Sequence, residues 1–78
     1  MKKEAQNLAE GDVVEYYDVA TGIIGECEGE LAYHFWDDLT VEDAWIGKYG
    51  YVFVSIAASK WSLVAGFDPD YLIGVRNG

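Results

Sequence analysis

The run Tyr51-Val52-Phe53-Val54-Ser55-Ile56-Ala57 constrains the fold most. Five of its seven residues are β-branched or aromatic, the types that fit a pleated, packed surface. It is apolar at odd and even positions alike, so both faces need cover, and such a strand belongs in the middle of a sheet. A central strand needs neighbours, and the rest of the chain offers them. Val13-Val14-Glu15-Tyr16-Tyr17-Asp18-Val19 reads as a strand after the turn Glu10-Gly11-Asp12. Past Ala20-Thr21-Gly22, the segment Ile23-Ile24-Gly25-Glu26-Cys27-Glu28 can pair back on it as a hairpin. Glu30-Leu31-Ala32-Tyr33-His34-Phe35-Trp36 reads as a third strand. Two more, Trp61 to Phe67 and Tyr71 to Arg76, flank the turn Asp68-Pro69-Asp70.

One stretch carries a helical rather than a strand period. Val41, Ala44, Trp45 and Tyr49 fall at i, i+3, i+4 and i+8 and would share one face of a helix over residues 41–49. Thr40 is its natural N-cap, Glu42 and Asp43 suit the positive first turn, and Gly50 suits the left-handed residue that ends it. The expected fold is therefore α+β and β-rich: a small, strongly curved antiparallel sheet or SH3-like, partly open barrel of about five or six short strands with that one short helix. Residues 1–9 read as a short arm or single helical turn, and 10–78 as one β-rich domain.

The chain has the material for a core, with 51% hydrophobic residues and three Trp, six Tyr and three Phe among 78. Helical spacing puts Trp45 in that core, and Tyr16, Tyr17 and Trp36 are expected there too. A single cysteine cannot close a disulfide within the chain, and Cys27 sits between Glu26 and Glu28, where neighbouring anions suppress the thiolate. Cys27 is expected to be a packing residue. No apolar run approaches the roughly 20 residues of a membrane span, and Met1-Lys2-Lys3-Glu4 does not lead into the apolar stretch of a secretory signal. A cytoplasmic location is the expectation, a bacterial host's cytoplasm if the gene is phage-borne.

Charge is the second strong feature. Fourteen acids face five bases, for a net charge of -9. Eleven of the acids lie between Glu10 and Asp43, whereas no Lys or Arg occurs from Glu4 to Gly47. Concentrating like charge in a small domain costs stability through self-repulsion, and such asymmetry marks an interaction surface. The plain alternative is a solvated face that keeps the domain soluble.

Motifs for chemistry are missing. With so many carboxylates a close pair is no sign of acid–base catalysis. His34 has no second His or Cys at ligand spacing for zinc, and neither His34-Phe35-Trp36-Asp37-Asp38 nor Asp68-Pro69-Asp70 follows the order of a calcium loop. Ser55, Ser59 and Ser62 lack a nucleophile elbow, and no glycine pattern cradles a phosphate. No enzymatic activity, cofactor or metal is expected. Direct binding to nucleic acid or to an anionic membrane is opposed by the net charge.

Gly50-Tyr51-Val52-Phe53-Val54, with Trp61 and Gly66-Phe67 behind it, resembles a segment of the N-terminal domain of the NusG transcription factors. The likeness spans a small part of the chain, with Tyr49 where that family's pattern has Pro, and it implies no more than two central strands of similar composition. In size and charge the chain is similar to phage-encoded inhibitors of host defence nucleases, including DNA mimics and anti-CRISPR proteins.

The functional expectation is thus a non-enzymatic acidic inhibitor that occupies a basic surface of a nucleic-acid-binding protein or ribonucleoprotein complex. Glu26, Glu28 and Glu30, if extended, would set a row of anions about 6.6 Å apart. Asp12, Glu15, Asp18, Asp37, Asp38, Glu42 and Asp43 would add to its field, with Trp36 as an anchor in the case that it lies at the surface rather than in the core. The competing expectation is a structural or assembly module that self-associates, as a homodimer for instance, or docks in a larger complex through aromatic packing.

Overall fold

In the computed structural model, residues 1–22, 38–57 and 62–77 are described. The expected hairpin arm at Ile23–Glu28, the strand at Glu30–Trp36, and Cys27, His34, Trp36 and Asp37 lie outside them. Among the described residues the strands are β1 (Lys2–Glu4), β2 (Val13–Val14), β3 (Leu39–Ile46), β4 (Val52–Ala57), β5 (Ser62–Phe67) and β6 (Leu72–Gly74), with a turn of α-helix, α1 (Tyr16–Val19). All pairings are antiparallel, in a four-stranded sheet β2-β3-β4-β5 and a two-stranded sheet β1-β6. A bridge between Val14 and Val75 links the two sheets. The result is a small β-rich fold whose larger sheet curves into a half-barrel.

As its composition demands, β4 is central, paired along its whole length with β3 on one side and β5 on the other. Val52, Val54 and Ile56 point into the core while Phe53, Ser55 and Ala57 are half-buried on the outer face. Leu63, Ala65 and Phe67 of β5 and Leu39 and Val41 of β3 join the inner face. Ile73 and Val75 close it from the side of β6, with Val14, Val19, Ala5 and Leu8. Among the described residues no polar or charged residue is buried, and Phe67 is the one aromatic among the buried core residues. The aromatic content of this part of the chain therefore does not build the core, contrary to the expectation for Tyr17 and Trp45, which are exposed. Tyr16 packs against the core from its margin.

The helix expected over 41–49 is not formed; those residues are mostly β3. Thr40 and Val41 pair with Ala57 and Ile56, after which the register shifts between Val41 and Asp43 and continues from Asp43–Ser55 to Ile46–Val52. Glu42 is the extra residue of a β-bulge. A bulge adds one residue to a strand, so Val41 and Ala44 sit on the same side of the sheet although they are three apart. The i, i+3 spacing that resembles a helix is the signature of that bulge. Two helical turns weakened by Gly47 are marginal alone, whereas the strand gains a continuous antiparallel ladder with β4. Gly50 does adopt a left-handed backbone, at φ 81°, but as part of the β3–β4 loop.

One further segment departs from expectation. The strand expected over Val13–Val19 stops at Val14. Glu15 then donates its N–H to the carbonyl of Gly74 at 2.9 Å, and the next four residues turn helically, with Val19 N–H reaching Glu15 C=O at 3.3 Å. The N-terminal residues, expected as a short arm or a helical turn, are tied into the fold. β1 pairs with β6, Ala5 N–H donates to Tyr71 C=O at 2.8 Å, and Ala5 and Leu8 are buried in the core, with a 3-10 turn at Ala5–Asn7.

Candidate functional site

Of the acids expected to form a negative surface, the structure describes Asp12, Glu15, Asp18, Asp38, Glu42 and Asp43, and it divides them into two groups. The row Glu26, Glu28 and Glu30, together with Trp36 and Asp37, falls outside the described residues.

The first group is committed to the fold. Asp12 accepts from Lys3 Nζ at 3.1 Å through both oxygens and from the backbone N–H of Ala9 at 3.0 Å. Asp18 accepts from the N–H of Gly74 at 2.7 Å, with Lys2 Nζ 3.9 Å away. Gly74 is buried, and a Cβ there would lie 2.7 Å from Glu15 Cγ and 2.9 Å from Asp18 Oδ2. A side chain at this position would push aside Glu15 or the Asp18 carboxylate that satisfies that N–H. Arg76 spans two more acids, with Nε 3.2 Å from Glu15 Oε1 and Nη1 3.4 Å from Asp38 Oδ1. The cations that the sequence places at the two ends thus return to the acids of the first half. An open cleft of about 470 Å³ lies here, lined in part by Lys2, Glu15, Tyr17, Asp18 and Arg76. Its charged side chains are already paired with one another.

The second group lies on β3 and is open. Glu42, at the bulge, and Asp43 are both exposed, and among the described residues no cation is within ion-pair distance of either. Asp43 Oδ1 accepts from the N–H of Ala44 at 2.9 Å, a local contact that leaves its charge facing solvent. Asp43 and Trp45 share the outer face of β3, opposite Ser55 and Phe53. Trp45 stacks on Phe53 with ring centroids 6.1 Å apart at 25°. Phe53 in turn covers Gly47, where a Cβ would sit 2.1 Å from its ring.

Beyond them the β3–β4 hairpin exposes apolar and aromatic surface. Trp45 is 42% exposed, Tyr51 47%, Ile46 74% and Tyr49 85%. Tyr49 also holds a left-handed backbone at φ 69°, which costs a residue with a Cβ about 1–2 kcal/mol. Lys48 Nζ lies 5.3 Å from the centroid of the Tyr49 ring. Backbone strain spent on holding a bulky ring out in water points to a role for that ring, and large aromatics clustered at a surface mark contact sites. Sequence reasoning singled out Glu42 and Asp43 but missed Ile46, Tyr49 and Tyr51. The signal was present: Gly47-Lys48-Tyr49-Gly50 between two β-forming runs is a glycine-bearing hairpin loop.

Among the described residues no group of three His, Cys, Asp or Glu side chains could hold a metal ion, and no helix is long and apolar enough to cross a membrane. Comparison of the chain with protein-family models, with curated proteins and with solved structures finds no match.

Proposed function

We propose that the protein is a small acidic binding module that acts without chemistry, docking on the basic surface of a nucleic-acid-handling protein or complex and blocking access to it. The observation that carries this reading is the pairing on one hairpin of two exposed acids with no cation beside them among the described residues, Glu42 and Asp43, with exposed apolar anchors, Trp45, Ile46, Tyr49 and Tyr51. Acids steer a basic partner and reject acidic ones; aromatic anchors supply the short-range energy that charge alone does not. The net charge of -9 adds long-range attraction to such a partner and repels nucleic acid itself.

Pull-down at low and at high salt, with the retained proteins identified and then assayed for nucleic-acid binding with and without this chain, tests the reading. The expected result is a nucleic-acid-binding protein whose retention falls steeply with salt and which nucleic acid displaces. Retention indifferent to salt and to nucleic acid contradicts it.

The uncovered hairpin also favours a second reading, an assembly module that uses Trp45, Ile46, Tyr49 and Tyr51 to bind a further copy. Two copies at -9 each repel, so dimerisation of this kind strengthens as salt rises, the opposite dependence.

A further inference from the structure

We infer that Trp45 and Asp43 form a seat for an arginine side chain of the partner, an inference that rests on the hairpin docking proposed above. The two residues are alternate positions on the same face of β3, about 6.6 Å apart along the strand. The indole is held from behind by Phe53 at 6.1 Å, so the ring is fixed by its stack and remains partly open to solvent. A guanidinium is planar, weakly hydrated, stacks on aromatic faces and donates in a fork to a carboxylate. Laid against Trp45, it reaches the Asp43 carboxylate, of which Oδ2 makes no described hydrogen bond while Oδ1 takes the Ala44 N–H. A lysine ammonium is a point charge and meets one of these two groups at a time. The hairpin already collects a cation on an aromatic face, Lys48 on Tyr49.

The occupant comes from another protein. Arg76 is the only arginine in the chain, and it is bound by Glu15 and Asp38, so a second copy has no free guanidinium to offer. Polyanions are repelled by Glu42 and Asp43.

The test compares hexa-arginine with hexa-lysine binding to the full chain at low salt by isothermal titration. Hexa-arginine is expected to bind about threefold or more tightly, the scale of one exposed cation–π contact. Trp45→Ala abolishes the preference, Trp45→Phe retains part of it, and Asp43→Asn weakens hexa-arginine more than hexa-lysine. Should Trp45→Ala fail to fold by circular dichroism, Trp45→Leu keeps the hydrophobic cover and removes the stacking face. Equal affinities, no binding of either peptide, or a preference that survives loss of the indole overturns the seat. So does a concentration-dependent dimer that Trp45→Ala dissolves in sedimentation, which assigns the face to a second copy. Salt-dependent capture of a nucleic-acid-binding protein is decided separately, so the arginine seat can fail while the docking function stands.

Discussion

The end of the molecule built from β1, β6 and α1 and the β3–β4 hairpin both carry acids that look alike in the sequence, and the fold uses them in opposite ways. At the first, Asp12, Glu15, Asp18 and Asp38 close the structure onto Lys2, Lys3 and Arg76 and onto backbone N–H groups. At the second, Glu42 and Asp43 have no described cation beside them and stand next to rings that the core does not take in. A count of carboxylates therefore overstates the negative surface. What distinguishes a structural acid from one free to meet a partner is whether a distant part of the chain returns to it.

That contrast gives a graded set of expectations. The largest effect belongs to the closed end, where Ile73 is fully buried: Ile73→Ala is expected to cost about 2–5 kcal/mol in urea unfolding, with no specific effect on docking at equal folded fraction. Next comes Asp18→Ala, which leaves the buried Gly74 N–H without its 2.7 Å acceptor and is expected to cost about 1–3 kcal/mol. A neutral result there would remove the distinction between the two groups of acids.

At the hairpin the order of stability and binding reverses. Trp45→Ala is expected to cost only about 1 kcal/mol of stability, the scale of its stack on Phe53, rather than the larger loss of a core tryptophan, while weakening capture of the basic partner about tenfold or more. A loss of several kcal/mol would return Trp45 to the core. Smallest of all, Glu42→Gln with Asp43→Asn is expected to leave stability within about 0.5 kcal/mol, by thermal unfolding, yet flatten the salt dependence of partner binding.

Much of the sheet is legible in the sequence. The density of β-formers in Val52–Ala57 and Ser62–Phe67 marks strands whatever surrounds them, and a double-sided apolar run specifies a central place. What escaped was non-local. Nothing near Glu15 or Asp38 in sequence announces Arg76, and nothing near Asp12 or Asp18 says that Lys3 and Lys2 come back as part of β1. The bulge at Glu42 resembles a helix in sequence because one inserted residue turns a period of two into a step of three, and only the facing residues Ser55 and Ile56 reveal the difference. For the site, Glu42 and Asp43 were visible as charge, whereas the exposure of Tyr49 and Ile46 depends on where a hairpin ends and the core stops.

Backbone amide shifts of the full chain titrated with hexa-arginine at low salt test the central claim most directly. Perturbations are expected to concentrate from Glu42 to Tyr51, with Asp12, Asp18 and Gly74 unmoved. Perturbations centred on Lys2, Asp18 and Gly74, with the hairpin silent, would contradict it.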